Sequence, residues 1–182
     1  MRRASDSPVV DVHAGAEWPI WVLSNLSPNS FTFAGFTMAS MEGLLQSLKY
    51  LDESDAAVVR GLAGRRAKRA GRKRQDAWQS TGTLWFRGVP LDRFGRRYQA
   101  LLDGAYRALF DQSLRARMAL LATGNLTIVH TLGHVDPAET VLTQAEFCSQ
   151  LMMNRARLRS QHPDGLRPTL GSADARGDVV VR

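Results

Sequence analysis

Apolar residues recur at helical spacing in several separate stretches, and this periodicity limits the possible folds more than any other feature of the chain. The clearest stretch follows Ser40, a residue suited to cap a helix N-terminus, and its apolar positions are Met41, Leu44, Leu45, Leu48 and Leu51. Similar spacing predicts further helices, over 54–62, 93–110, 114–121 and 143–160. Short aromatic or β-branched stretches predict strands, at 18–36, 83–86 and 126–129. These patterns predict a predominantly helical α+β fold with a few short strands.

The same patterning separates a single domain from two flanking segments. Residues 1–16 are small and polar without a periodic pattern, which predicts a flexible N-terminal arm. Residues 161–182 contain Pro and Gly and little to bury, which predicts a flexible C-terminal tail. The expected domain therefore spans 17–160, and its last helix begins with a capping box formed by Thr143 and Glu146. A chain of 182 residues is long enough to bury a sizeable core.

Several classes of protein are disfavoured by the composition. The single cysteine, Cys148, excludes an intrachain disulfide framework and a Cys-rich zinc site. No apolar run reaches the length of a membrane-spanning helix, and the N-terminus lacks the apolar core of a signal peptide. We therefore expect a cytoplasmic protein that does not contact a membrane.

Positive charge is concentrated in one segment, which we call the basic run (60–74). It contains eight Lys or Arg residues and no acidic residue, and without those eight charges the net charge of +7 becomes −1. Such a density of cations attracts phosphates, and nucleic acid is the commonest polyphosphate partner. A merely solvated surface is the alternative. The confinement of the excess to fifteen residues favours a binding role.

The helix after Ser40 carries three polar residues on one face. Glu42, Gln46 and Lys49 follow each other at intervals of four and three residues, so their side chains lie on the same side of the helix. Taken alone, Glu42 has a structural explanation, because a carboxylate in the first turn complements the helix dipole. The face is nevertheless suited to line a polar site.

Familiar catalytic motifs are absent from the sequence, including the Walker A loop, the dinucleotide-binding glycine fingerprint and the zinc-protease His-Glu-x-x-His. His130 and His134 are four residues apart, but they flank Gly133 in a predicted loop rather than lying on a helix. This spacing gives little support to metal binding. No metal or redox cofactor is expected.

An ordered set of short motifs resembles the YbiA-like, or NADAR, family. The first is Ser-Asn-Leu-Ser-Pro (24–28), which is followed by Gly35 and by Ser-Met-Glu-Gly-x-x-Gln-Ser-x-Lys (40–49). Gly64-Arg65 and the basic run come next, and then Leu-Phe-Asp-Gln (109–112), Leu-Leu-Ala-Thr-Gly (120–124) and Val-His (129–130). The resemblance closes with Asp136 and a final helix bearing Arg155, so it covers 21–158. It implies a YbiA-like fold.

The resemblance also implies an activity, the hydrolysis of N-glycosidic bonds of ribosyl compounds without a cofactor. The family's catalytic Glu, Asp and Trp correspond to Glu42, to Asp136 if the preceding loop carries one extra residue, and to Trp85. Trp78 and Phe94 are alternatives for the aromatic position. A carboxylate beside the sugar would stabilise the developing cation and take a proton from water, while an aromatic ring would stack on the base. The expected substrate-binding residues are Ser24, Asn25, Gln46, Lys49, Gly64, Arg65, Lys68 and His130.

Three of these positions also have purely structural explanations. Trp85 fits a packed strand residue, Asp136 before Pro137 fits the start of a turn, and His130 fits a hydrogen-bonded interior histidine. The family commonly has Trp-Gly-x-Gly after its Asp, whereas this chain has Pro-Ala-Glu-Thr (137–140), which indicates a divergent branch.

Three functions therefore stay open from the sequence. The first, favoured by the basic run, is removal of ADP-ribose from modified guanine in DNA. The second is hydrolysis of a phosphoribosyl intermediate of riboflavin synthesis, a small molecule that needs only one phosphate site. The third is a non-catalytic module that binds nucleic acid or ADP-ribose. The oligomeric state is not indicated by any motif.

Overall fold

The computed structural model describes residues 8–161, and helices make up most of its regular structure. The helices are α1 (Ile20–Leu23), α2 (Met41–Ser47), α3 (Glu53–Arg60), α4 (Gly64–Arg72), α5 (Gln75–Gln79), α6 (Arg96–Gln112), α7 (Leu114–Ala122) and α8 (Gln144–Gln161). The strands are β1 (Val9–Asp11), β2 (Phe31–Phe33), β3 (Phe36–Met38), β4 (Thr83–Phe86), β5 (Val89–Asp92) and β6 (Thr127–Val129). The predicted helical α+β class is confirmed.

The strands form three separate two-stranded pairs. The pairs β2–β3 and β4–β5 are antiparallel hairpins, whereas β1 pairs with the distant β6 in parallel. The register of the parallel pair places Val9 beside Thr127 and Asp11 beside Val129. Because β6 leads directly into the loop that follows residue 129, the parallel pair fixes the start of that loop.

Helix α6 runs through the core and packs against β2, α7 and α8. The apolar positions of the helix predicted over 93–110 are buried from Tyr98 onward, with Tyr98, Leu102 and Phe110 almost fully enclosed. Phe94 precedes the observed helix and is exposed. All residues of α2 are buried as well, including its polar ones. The Oγ of Ser40 accepts a hydrogen bond of 3.0 Å from the Gly43 N–H, which confirms the predicted helix cap.

The close contact between α2 and α3 depends on Gly43. An ideal Cβ at this position would lie 2.5 Å from the carbonyl oxygen of Leu62 and 2.9 Å from that of Arg60. Both atoms belong to the backbone, so the contact leaves no room for a side chain. Because Gly43 has no side chain, the end of α3 packs directly against α2 at the residue that follows Glu42.

The N-terminal segment differs from the expected flexible arm over residues 8–16. There β1 is paired, and Val12 is completely buried against the core. Three-residue strands carry no recognisable periodicity, and the partner strand is remote in sequence, so local patterning missed this pairing. The expected tail (161–182) lies outside the described residues apart from Gln161, and the domain boundaries stay predictions.

Two local assignments also differ from expectation. The segment 18–36 contains the helical turn α1 as well as strand β2, and strand β3 begins at its last residue. Helix α3 begins at Glu53 rather than at residue 54, and its cap is Asp52, whose side chain accepts a hydrogen bond from the Asp55 N–H. None of the helices in the described part of the chain combines the length and apolar character needed to cross a bilayer.

Most of the basic run forms α4, a helix whose buried face contains only Ala67 and Gly71. Its small buried residues allow it to pack closely against α2, while its cations remain on the outside. Arg60 is an exception within the run, because it is buried, paired with Glu53 and stacked on Phe36. The exposed charge of the basic run therefore begins at Arg65.

Candidate active site

A two-part cleft opens beside the polar face of α2. Its larger part, the main lobe, encloses about 620 Å³, and its smaller part, the side lobe, encloses about 340 Å³. The two lobes share six lining residues, Asn25, Glu42, Lys68, His130, Leu132 and Phe147. We call the two lobes together the active cleft, and their junction lies at Glu42.

Glu42 is held in place by both its backbone and its side chain. Its N–H donates to the carbonyl oxygen of Asn25 at 2.9 Å, and its Oε1 accepts a hydrogen bond of 2.9 Å from Gln46 Nε2. The residue is only 8% exposed, yet it lines both lobes. The hydrogen-bond partner of the carboxylate is thus a neutral amide, and the carboxylate borders the cavity instead of being locked against an arginine.

Burial raises the pKa of Glu42, because the charged carboxylate loses solvation. The hydrogen bond from Gln46 opposes this shift, and so do the positive charges of Lys68 and Lys49. Burial also lowers the pKa of Lys49 to about 8, although the Glu42 carboxylate acts in the opposite direction. The two residues therefore form a partly buried acid–base pair whose charge states depend on each other.

The Lys49 side chain borders the main lobe and extends towards α5. Its Nζ donates to Gln75 Oε1 at 2.7 Å and lies 5.9 Å from the ring centroid of Trp78. From α4, Lys68 and Arg72 line the same lobe one helical turn apart. Three cationic side chains thus border the main lobe on the side of α2, α4 and α5.

The opposite wall is formed by the loop after β6 and by Phe147 of α8. His130 begins this loop, and its Nδ1 lies 2.6 Å from the carbonyl oxygen of Val12. Since a carbonyl only accepts, Nδ1 carries the proton, and Nε2 of a neutral His130 is left as an acceptor. The His130 and Phe147 rings meet edge to face, with centroids 5.0 Å apart. These contacts fix the imidazole at the junction of the lobes.

Asn25 places an amide at the same junction. Its Oδ1 accepts a hydrogen bond of 2.8 Å from the hydroxyl of Tyr106, which is buried in α6. The amide nitrogen of Asn25 is therefore the end that can donate to a ligand. Ser24 lines the side lobe only, where its Oγ accepts from the Leu26 N–H.

The structure gathers most of the predicted substrate-binding residues around Glu42 but leaves two outside. Those that line the active cleft are Ser24, Asn25, Gln46, Lys49, Lys68 and His130. Gly64 and Arg65 line neither lobe, because they begin α4 one turn before Lys68. On α4 the cation that joins Lys68 in the main lobe is Arg72, not Arg65.

The other two predicted catalytic residues also lie outside the active cleft. Asp136 is exposed and starts a turn, in which its Oδ1 accepts from the Ala138 N–H at 2.8 Å. Trp85 lies on β4, and its N–H donates to the carbonyl oxygen of Leu48. The structural explanations of both residues, a turn and a strand position, agree with these contacts.

Neither alternative aromatic residue lines the active cleft. Trp78 is 2% exposed and packed in the core, whereas Phe94 is 59% exposed on the surface. Among the Phe, Tyr and Trp residues that the structure describes, Phe147 is the one that borders both lobes. The sequence places Phe147 next to the capping-box residue Glu146, but only the fold brings it opposite Glu42.

Other lining residues that sequence reasoning missed are His13, Arg72, Gln75, Gln79 and Glu139. The carbonyl oxygen of Glu139 accepts from the side-chain amides of Gln75 and Gln79, so the loop is tied to α5. Arg72 could have been found from its spacing of four residues from Lys68. The others required knowledge of which segments face each other.

The lack of a side chain at Gly71 leaves the space that Gln46 occupies when it donates its hydrogen bond to Glu42. An ideal Cβ at Gly71 would lie 1.6 Å from Gln46 Oε1 and 2.5 Å from its Cδ. We expect Gly71→Ala to displace the Gln46 side chain and to remove its hydrogen bond to Glu42. Because that bond lowers the pKa of Glu42, the variant should raise this pKa further, as measured by NMR titration of the carboxyl group.

The expected stability cost of Gly71→Ala is about 1–3 kcal/mol, as for other overpacked sites. Gly61→Ala is the matched control, because the nearest atom to an ideal Cβ there is at an ordinary contact distance of 3.4 Å. An unchanged titration of Glu42 in Gly71→Ala would contradict the positioning role of Gly71.

Three comparisons with known proteins relate the chain to others. A family described as "Bacteriophage protein GP30.3" matches residues 17–156. The "Uncharacterized 17.1 kDa protein in Gp30-rIII intergenic region" of Enterobacteria phage T4 is 31% identical over 150 residues, which are 82% of this chain and 98% of that protein. The NMR structure of the E. coli protein YbiA superposes with a TM-score of 0.60 at 19% identity, covering 91% of this chain and 94% of YbiA. The predicted YbiA-like fold is confirmed.

Proposed function

The chain belongs to the bacteriophage GP30.3 family, a divergent branch of the YbiA-like (NADAR) proteins, and on this premise we propose that it is an N-glycosidase that hydrolyses a ribose–base bond. The observation that carries the proposal is the position of Glu42. A buried carboxylate with a raised pKa borders both lobes of a cleft large enough for a nucleotide-sized ligand. Its surroundings provide cations, an amide and an imidazole.

In this reaction the oxygen of a water molecule forms a bond to C1′ of the ribose as the bond from C1′ to the base nitrogen breaks. The electron pair of the broken bond goes to the base, which takes up a proton from solvent and so balances the proton that the attacking water gives up. The sugar passes through a cation-like state. The ionised Glu42 stabilises that cation and accepts the proton that the water loses. The Asn25 amide and His130 Nε2 supply a donor and an acceptor for ribose hydroxyls.

The cations of the main lobe fit the phosphates of the substrate. Lys68 and Arg72 project from successive turns of α4 into the same space that Lys49 borders. Two or three cations around one space suit a diphosphate better than an uncharged nucleoside. This arrangement supports ADP-ribose as the sugar portion of the substrate.

The rest of the basic run supports a polymeric substrate, namely DNA carrying ADP-ribose on guanine. Arg66 and Arg69 are exposed on α4 and line neither lobe, so their charges extend the positive surface beyond the cleft. A metabolite bound in the cleft would not use them, whereas a nucleic acid strand would. The phosphoribosyl intermediate of riboflavin synthesis is the second candidate, favoured by the fact that only Lys68 and Arg72 of the α4 cations reach the main lobe.

The deciding experiment is incubation of the protein with ADP-ribosylated guanine DNA and, separately, with a phosphoribosylaminopyrimidine, with mass spectrometry of the released products. We expect ADP-ribose release from the DNA. The double variant Arg66→Gln/Arg69→Gln should weaken DNA binding and reduce the salt dependence of affinity by about 0.7–0.9 per lost phosphate contact. An unaffected affinity for DNA in this variant would contradict the polymer substrate and leave the metabolite as the better candidate.

The proposed mechanism also predicts a bell-shaped dependence of kcat/KM on pH. Activity should rise on the acid side as Glu42 ionises, above the range of an ordinary glutamate because burial raises its pKa. It should fall on the alkaline side near pH 8, as Lys49, whose pKa is lowered to about 8, loses its charge. In Lys49→Arg the charge persists, so the alkaline limb should move to higher pH. If kcat/KM stayed constant from neutral to strongly alkaline pH, the positive charge of Lys49 would not be needed for activity.

A further inference from the structure

The two lobes of the active cleft differ in charge. Beyond the shared residues, the main lobe contains the charged side chains of Lys49, Arg72 and Glu139. The residues that belong to the side lobe alone are His13, Ala14, Gly15, Ser24 and Leu26, and none of them carries a permanent charge. The anionic part of a ligand would therefore bind in the main lobe, and its uncharged part would bind in the side lobe.

We propose that the side lobe receives the leaving nucleobase and that the turn formed by His13–Ala16 is the element that recognises it. The inference rests on the proposed function, because it takes the scissile bond to lie at Glu42. Since Glu42 borders both lobes, the two halves of the substrate extend from it in different directions. The phosphates occupy the cationic main lobe, so the base occupies the side lobe.

The N-terminal turn is a fixed wall rather than a loose segment. Strand β1 pairs with β6 immediately before it, and the Val12 N–H donates to the carbonyl oxygen of Val129 at 2.9 Å. The Asp11 carboxylate accepts hydrogen bonds from the N–H and the hydroxyl of Thr131. The turn itself is closed by the Ala16 N–H, which donates to the carbonyl oxygen of His13. A wall anchored in this way loses little freedom when a ligand binds.

His13 is the side chain of this turn that is best suited to contact a base. Its half-buried imidazole is flat and carries both a donor and an acceptor, which match the face and the polar edge of a nucleobase. The side lobe, at about 340 Å³, lies within the size range of small-ligand pockets. His13 precedes residue 17, where the family match begins. Base recognition would thus depend partly on a segment outside the matched range.

The test compares two probes, guanosine and ADP-ribose, whose binding is measured by isothermal titration calorimetry on protein carrying Glu42→Gln so that no turnover occurs. His13→Ala should weaken guanosine binding about tenfold, the effect of losing one stacking or hydrogen-bonding contact, and leave ADP-ribose binding unchanged. Arg72→Ala, which alters the main lobe only, should do the reverse. His13→Phe should restore part of the guanosine affinity by restoring a ring. Glu17→Ala, an exposed position that lines neither lobe, is the matched control.

Three results would overturn the assignment of the lobes. These are equal weakening of both probes by His13→Ala, no effect of His13→Ala on guanosine, and no guanosine binding at millimolar concentration. Failure of the proposed function is distinguishable from these results. If the probes respond as expected but no ribosyl substrate is hydrolysed, the lobes are correctly assigned and the protein is a binding module. If hydrolysis occurs but His13→Ala changes neither binding nor base preference, only the assignment of the side lobe is wrong.

Discussion

Replacement of Glu42 by Gln is expected to lower kcat about 10³-fold or more while leaving the affinity for ADP-ribose nearly unchanged. The amide has nearly the same shape as the carboxylate and keeps an oxygen that accepts from Gln46, so the cleft should retain its form. It cannot stabilise the sugar cation by charge or take a proton from water, and each of these contributions is worth about 10²–10⁴ in rate. Single-turnover kinetics and calorimetry with ADP-ribose measure the two effects separately.

The matched control is Asp136→Asn, a carboxylate-to-amide change outside the active cleft. We expect its activity to stay close to that of the unmodified protein, because Asp136 is exposed and its Oδ1 serves a local turn. Full activity of Glu42→Gln would remove Glu42 from the mechanism. A loss in Asp136→Asn as large as that in Glu42→Gln would show that the loop after β6 moves Asp136 into the cleft during the reaction.

Glu42→Gln should also make the folded protein more stable at neutral pH. Burial raises the pKa of Glu42, so the folded state binds a proton more tightly than the unfolded state does. The contribution of Glu42 to the free energy of unfolding is therefore greatest at low pH, and it declines as pH rises through the raised pKa. The amide removes this penalty, and thermal melts at several pH values should show a gain that disappears in acid. Loss of activity with a gain in stability is typical of a catalytic group held in an unfavourable environment.

Glu146→Ala is expected to destabilise the protein by about 3–5 kcal/mol, because it leaves a buried arginine without its ionic partner. Arg93 is 1% exposed, and it donates through Nη1 and Nη2 to the two carboxylate oxygens of Glu146 at 2.9 and 2.7 Å. Glu146 also completes the capping box, with its Oε2 accepting from the Thr143 N–H at 2.8 Å. The free energy of unfolding in urea, measured for Glu146→Ala and the unmodified protein, gives the cost directly.

A surface ion pair provides the comparison for Glu146. The Asp111 side chain is 47% exposed and pairs with Arg157, so Asp111→Asn should cost less than about 1 kcal/mol. The double variant Arg93→Met/Glu146→Leu should recover part of the loss of Glu146→Ala, since no unpaired buried charge remains. A cost of Glu146→Ala as small as that of Asp111→Asn would contradict the role assigned to the buried pair.

The ion pair between Arg93 and Glu146 should also make the wall of the main lobe sensitive to acid. Burial raises the pKa of Glu146, but hydrogen bonds from Arg93, the Thr143 N–H and Gln99 outweigh burial, so the pKa is lowered overall. The stability that this carboxylate contributes is therefore present at neutral pH and is lost as pH falls through the lowered pKa. Arg93 also donates through Nε to the carbonyl oxygen of Thr140, which lines the main lobe. Acid should thus loosen the wall of the main lobe together with α8.

The local features of the fold could be predicted from the sequence because they depend on neighbouring residues. The caps at Ser40 and Thr143 and the shared face of Glu42 and Gln46 follow from spacings of three or four residues. The YbiA-like fold followed from the order of short motifs along the chain, which survives where identity is low.

The opposite side of the active cleft could be predicted only in part, because its residues are remote from Glu42 in sequence. The order of motifs indicated His130, at the start of the loop after β6, and this residue lines both lobes. The same motif order indicates Asp136, which lines neither lobe, and gives no signal for Phe147, which only the tertiary packing brings to the junction. Similarly, which cations of α4 face the main lobe depends on how α4 packs against α2, and that packing brings Gly71 against the Gln46 side chain.

The parallel pairing of β1 with β6 has a consequence for the order in which the molecule is assembled on the ribosome. Helices α2, α3 and α4 adjoin one another in sequence, so Glu42 and its cations can come together early through short loops. The first strand must wait for a partner whose pairing begins at Thr127, and until then its N–H and C=O groups are unpaired within the nascent chain. The wall that carries His13 therefore forms only after β6 has been made, as do the walls contributed by the loop after β6 and by Phe147. A chain released before that point would hold the Glu42 carboxylate in an incomplete cleft.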